Sequence, residues 1–196
     1  MASNISSWLG FALQQMAAES YLNGIDRENE QQVTARLRDG NNNRLITPEE
    51  SFLGNTRFAD LQAAAFLDHY KIIDQHASDA TGFSATFIKD LSDPTEKTFT
   101  VSFRSLEYQG QAKGGDWERD GIDGAAGEIA GRGFAFAQLV SMERYWKQIQ
   151  PTLPAGAILN VTGYSLGGHL ATVFTELHAD RVTHTYTFNA AGRGAF

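Results

Sequence analysis

Trp8, Leu9, Phe11, Ala12, Leu13, Met16, Ala17 and Tyr21 recur at helical spacing behind the capping residues Ser6 and Ser7, which predicts an amphipathic first helix packed on a sheet. A second helix is predicted from about Glu28 to Leu37, stopped by Arg38-Asp39-Gly40. A polar loop then reaches Pro48, and Phe58, Leu61, Ala65, Phe66, Tyr70 and Ile73 predict one long helix over Arg57 to Asp74. The period changes after it. Phe83 to Ile88 and Phe99 to Phe103 run apolar or alternate between the breakers at Asp93-Pro94 and Gly110, and predict adjacent strands. Helical spacing returns from Glu128 to Ile149 and is closed by Pro151 and Pro154. A strand over Ala157-Ile158-Leu159-Asn160-Val161, a helix from His169 to His178 and a strand from Val182 to Phe188 complete the pattern. Strands alternating with helices predict an α/β fold, a mostly parallel sheet covered by helices on both faces. No internal repeat or low-complexity tract interrupts it, so one domain over 1–196 is expected, with 1–80 mainly helical.

Between the last strand-helix pair stands Gly163-Tyr164-Ser165-Leu166-Gly167, followed by Gly168. A strand, a sharp turn and a helix around a central serine form a nucleophile elbow. A serine hydroxyl is a poor nucleophile at neutral pH unless such a turn presents it to a base and to oxyanion donors, so Ser165 is the expected nucleophile. The backbone N–H of Leu166 is then one oxyanion donor. The second is expected from Arg104-Ser105-Leu106, where the strand Phe99 to Phe103 leaves the sheet.

In this fold the serine is followed along the chain by an acid and then a histidine. After Ser165 come Glu176 and Asp180, and His169, His178 and His184, all on or beside the next helix and strand. Structural roles are expected for all three histidines, because the catalytic one usually comes from a loop at the sheet's carboxyl edge.

Composition narrows the partners. The 196 residues carry 16 Lys and Arg against 23 Asp and Glu, a formal net charge of −7, which argues against a nucleic-acid or anionic-membrane partner. Cysteine is absent, so no disulfide or thiolate metal site is available. The start, Met1-Ala2-Ser3-Asn4-Ile5-Ser6-Ser7, lacks a positive charge, and Gln14, Gln15 and Glu19 interrupt the apolar residues after it, so no secretory signal is expected in this stretch. No apolar run is long enough to span a membrane. Localisation is left open, and any export address is expected beyond Phe196.

Several of these segments together resemble the class 3 (fungal-type) lipase family, and more closely its bacterial lipase and phospholipase A1-like relatives. Val101-Ser102-Phe103-Arg104-Ser105-Leu106 is similar to the family's oxyanion strand, Asp116-Trp117 to the Asp-Trp of its lid region, and the segment Gly163 to Gly168 to its elbow. Thr187-Phe188-Asn189-Ala190-Ala191-Gly192 resembles the strand and turn that follow, and Gly82-Phe83-Ser84-Ala85-Thr86 resembles the bacterial members. Ser105 stands where the family has glycine, Leu106 where it usually has a hydroxyl residue, and Tyr164 where it usually has histidine.

The resemblance implies an α/β-hydrolase domain of which this chain is the amino-terminal part, its last strands and its triad Asp and His lying past Phe196. It implies a serine ester hydrolase acting on lipids through an acyl-enzyme, of triacylglycerol lipase or phospholipase A1 type, at a lipid interface. It also implies a lid within 107–132, with Trp117, Ile122 and Tyr164 facing substrate; a long surface loop with buried anchors is the plainer reading of that stretch. The rival to an enzyme is a catalytically incomplete, truncated domain that serves as a binding or interaction module or is a non-functional fragment. An acyltransferase or peptidase would use the same serine.

Asp39 to Glu50 places oxygen ligands, Asp39, Asn41, Asn43 and Glu50 among them, at calcium-loop spacing. Arg44 occupies the position that needs glycine, so a polar loop is expected and no cofactor is assigned, with calcium binding at this loop as the alternative. Asn160-Val161-Thr162 matches a glycosylation sequon but falls in a core strand. His69 and His76, with Asp68, Asp74 and Asp79 nearby, are expected to be solvated helix-face residues.

Overall fold

The computed structural model describes residues 4–40, 56–105 and 124–192. Its centre is a five-stranded sheet in the order β1-β2-β3-β4-β5: β1 Tyr70–His76, β2 Ala85–Asp90, β3 Thr98–Phe103, β4 Ile158–Tyr164 and β5 Val182–Phe188. β1/β2 and β2/β3 pair antiparallel, while β3/β4 and β4/β5 pair parallel. The α/β class is as expected, with the parallel pairing confined to the half that carries Ser165. Chain length explains the division, because β1, β2 and β3 are joined by short hairpin connections whereas a parallel crossover needs a dozen or more residues. Residues His76, Ala85, Phe103, Gly163 and Thr187 fall in one row across the sheet, so β1, β3, β4 and β5 end at a common edge.

Helices cover both faces. α1 (Asn4–Glu19), α2 (Glu30–Asp39) and α3 (Asp60–His69) bury Ala17, Val33, Leu37, Ala63 and Phe66 against Ile72 and Ile88 of the sheet. On the other face α5 (Phe136–Ile149) and α6 (Leu166–Leu177) bury Met142, Tyr145, Trp146, Leu170 and Phe174 against Phe87, Val101, Leu159 and Val161. Phe87 and Ile88 are neighbours in β2 that serve opposite cores, the alternation a strand imposes. α4 (Ala125–Arg132) precedes α5.

Several predicted boundaries move. α2 starts at Glu30, because the Asn29 carboxamide oxygen accepts from the N–H groups of Gln31 and Gln32 and caps the helix there. The single helix predicted over Arg57 to Asp74 is instead α3 followed directly by β1. A β-bulge at Ile73 shifts the register of β1, so Ile72 and Gln75 are both buried three residues apart, a spacing that mimics a helix. The helix predicted from Glu128 to Ile149 is two, broken where Gly133 adopts a left-handed φ of 81° and its N–H donates to the Ile129 carbonyl. In the β2–β3 connection the Asp93 carboxylate accepts from the Thr95 hydroxyl and N–H, the Thr98 hydroxyl and the Lys97 N–H. Those bonds, Thr95 foremost, hold its pKa below the usual carboxylate range.

Candidate active site

Ser165 joins β4 to α6 with φ 52° and ψ −116°, a conformation a non-glycine residue holds only when its surroundings impose it. The surroundings here are specific. Its N–H donates to the Phe188 carbonyl at 3.0 Å, and its carbonyl accepts from Ala191 at 2.9 Å and from His169 at 3.2 Å. The end of β5 therefore fastens the turn from one side.

Three glycines let the rest close in. A Cβ on Gly163 would lie 2.1 Å from the Gly167 carbonyl oxygen, so strand and helix cross where neither has a side chain. A Cβ on Gly167 would lie 2.2 Å from the Phe103 carbonyl oxygen, and one on Gly168 would lie 2.7 Å from the Ala190 Cβ. The helix N-terminus is thereby pressed onto the exit of β3. Leu166 is the first residue of α6, a position whose N–H has no intrahelical acceptor and which sits at the positive end of the helix dipole. Its side chain is buried with Ala125, Ile129 and Ala135, so α4, the described end of the lid segment expected over 107–132, packs beside the turn. Tyr164 is 43% exposed on the other side of Ser165.

All five histidines of the chain lie in the described residues; four bond or pack elsewhere and His184 is exposed. His169 is buried behind the turn, its Nδ1 2.7 Å from the Gly192 carbonyl and its Nε2 accepting from the Ala135 N–H at 3.4 Å. Those partners assign the ring proton to Nδ1. His178 binds Glu143 at 2.8 Å and packs on Phe174 and Trp146. His184 lies beside Tyr186 on β5. His69 ends α3 and contacts the Ser92 hydroxyl, whereas His76, expected on a helix face, lies in β1 with its ring against Phe83 and Tyr145. The Ser165 hydroxyl thus has no imidazole partner.

A polar cluster that sequence reasoning did not single out holds the exit of β3. Glu19 and Arg104 are 5% and 4% exposed, with a carboxylate oxygen 3.9 Å from the guanidinium Nε. Glu19 accepts from the Ser105 N–H at 2.9 Å, from the Ser105 hydroxyl at 2.8 Å and from Gln15 Nε2 at 2.7 Å. Gln15 also donates to the Phe103 carbonyl and accepts from the Ser102 hydroxyl. Arg104 stacks over the Tyr21 ring, 4.2 Å from its centroid. Gln15 and Glu19 are one helical turn apart on the buried side of α1. They are the polar interruption visible in the sequence, and what they bind could not be read there.

Leu106, Trp117 and Ile122 lie outside the described residues, as do Asn41, Asn43 and Glu50 of the calcium-like loop. Asp39 is the last residue of α2. Among the described residues no group of three or more His, Asp or Glu side chains converges as a metal site, and no helix is long and apolar enough to cross a membrane. Asn160 of the sequon is buried in β4.

The sheet order, the helices on both faces and the turn at the common strand edge give an α/β-hydrolase-type fold, similar to that of solved lipases. Three solved lipases show the likeness, each covering 97% of this chain with a TM-score of 0.51. They are the lipase of Rhizopus microsporus var. chinensis and Lip2 of Yarrowia lipolytica, each 16% identical, and lipase II of Rhizopus niveus, 14% identical. The chain spans 58%, 59% and 63% of their respective lengths. No family model and no curated protein matches the sequence.

Proposed function

We propose that the chain carries the nucleophile half of a serine-dependent carboxylic ester hydrolase acting on lipids. The observation that supports this most is the strained backbone of Ser165 at the helix start, held by glycine contacts and by hydrogen bonds to Phe188, Ala191 and His169. In this reading the Ser165 Oγ bonds to the acyl carbonyl carbon, the ester C–O bond breaks, and the serine proton leaves with the alcohol. Water then cleaves the acyl-enzyme. The Leu166 N–H stabilises the developing oxyanion, with the residue after Ser105 as the second donor. Because Glu19 engages the Ser105 N–H, that group is committed to shaping the strand exit rather than to the oxyanion. α4, with Ile129 against Leu166, forms the base of the cover. Triacylglycerol lipase and phospholipase A1 activities, and kinship with the bacterial branch, belong to the same proposal. The named neighbours are all lipases.

A second reading rests on the histidines. With none of the five placed as its partner, Ser165 has no histidine base among the described residues, and in this reading the chain acts as a binding module on the same scaffold. Labelling with a fluorophosphonate ester, read by intact mass and peptide mapping with Ser165→Ala as control, separates the two. Adduct on Ser165 supports the hydrolase. A folded chain that takes none supports the binding module.

A further inference from the structure

A cavity of about 220 Å³ opens between α1 and the serine turn, lined by Ala12, Gln15, Met16, Glu19, Tyr164 and Phe188, with Thr56 at its side. Its position is informative. Tyr164 precedes Ser165 in the chain, and the Phe188 carbonyl accepts the Ser165 N–H, so one wall of the cavity is the turn itself. The opposite wall is α1. Gln15 and Glu19 also line it, and their polar atoms are already bonded to Phe103, Ser102 and Ser105. The cavity therefore lies beside the residue that precedes Ser165, and Gln15 and Glu19 in its α1 wall are the side chains that bind the exit of β3.

We infer that this cavity receives the acyl chain of the ester, and that Ala12 and Met16 of the first helix set the chain length accepted. The inference rests on the reading of Ser165 as nucleophile. Chemistry favours an acyl chain over a polar headgroup, because among the described lining residues Ala12, Met16, Phe188 and the Tyr164 ring offer apolar surface, while the Glu19 carboxylate and Gln15 amide are already bonded. Size sets a limit. An apolar cavity of roughly 150 Å³ takes benzene, six carbons, so one of about 220 Å³ takes a chain of about eight. A sixteen-carbon chain would have to leave the cavity or displace the Gln15–Glu19 cluster, whose bonds fix the end of β3. The substrate class assigned is esters of short and medium-chain acids.

Two readouts on the full chain test this. Octanoate binding is measured by titration calorimetry for the wild type, Met16→Trp and Met16→Ala, each checked for folding by circular dichroism. Ser165 labelling rates are compared for p-nitrophenyl octylphosphonate and hexadecylphosphonate. Expected are octanoate binding weakened at least tenfold by Met16→Trp, a preference moved toward dodecanoate by Met16→Ala, and octyl labelling at least tenfold faster than hexadecyl. Octanoate binding absent from the folded wild type or untouched by Met16→Trp overturns the assignment, as does hexadecyl labelling as fast as octyl. If no phosphonate of either length labels Ser165 while octanoate binding still responds to Met16, the hydrolase reading fails and the cavity stands as a fatty-acid site.

Discussion

Replacing Gly167 by alanine sets two effects of opposite sign against each other. In a helix, alanine is favoured over glycine by up to about 1 kcal/mol, so propensity alone would stabilise the variant. The new Cβ, however, would lie 2.2 Å from the Phe103 carbonyl oxygen and 2.7 Å from that of Arg104. Both are backbone atoms at the end of β3 and cannot rotate away. The contact must open by roughly 1 Å to reach van der Waals distance, and overpacking of this kind costs about 3 kcal/mol at the upper end of its range. The net expectation is a loss of about 2 kcal/mol, a fall in Tm of about 4–8 °C for a chain of this size. Gly131 supplies the control, since it lies in α4 with nothing within 4 Å of an added Cβ. Gly131→Ala should gain up to about 1 kcal/mol from the same propensity. Urea unfolding followed by tryptophan fluorescence measures both, Trp146 being buried in the core beneath α6. A Gly167→Ala midpoint equal to wild type would refute the claim that helix and strand meet through a contact with no room for a side chain. A destabilised Gly131→Ala would show that propensity is the wrong baseline.

Three further perturbations follow from the same contacts. Glu19→Gln leaves the buried Arg104 guanidinium facing a neutral amide and should lower stability by about 3 kcal/mol, read as a reduced urea midpoint with unchanged slope. Ser165→Gly removes a side chain from a left-handed φ and should stabilise the fold by about 1 kcal/mol while abolishing labelling, whereas a Tm below wild type would argue that the turn is unstrained. Asp93→Asn should lower Tm at pH 7 and flatten the acid-unfolding curve. The folded-state pKa of Asp93 is depressed, so its contribution is full above the unfolded value of about 3.9 and is lost as pH falls toward the folded one. An unchanged acid limb in scanning calorimetry would refute it.

What was legible before the structure follows from the range of the interaction that shapes each segment. The serine turn was legible because its requirement is local: strand and helix cross at Gly163 and Gly167, and only glycine fits there, so the need is written as residue identity within five positions. The strand Val182–Phe188 was legible to its ends for a related reason, its β-branched and aromatic residues being bounded by Asp180-Arg181 and Asn189. The α3–β1 boundary was hidden, because one bulged residue turns a strand's burial period from two to three and a window of that length cannot distinguish it from a helix. Gly133 was visible, but only the left-handed backbone shows that it ends one helix rather than interrupting it. Least legible was the cluster at the exit of β3, where Glu19 meets Ser105 across 86 positions of chain. No period or motif relates two such residues. The only local trace was a carboxylate and two amides on the face of α1 that should have been apolar, and a charge that costs several kcal/mol to bury unpaired is itself the prediction of a distant partner. Since that partner proved to be the strand exit beside Ser165, polar residues on the buried face of a helix deserve to be read as half of a contact, and in this chain they bring the first helix to the candidate site.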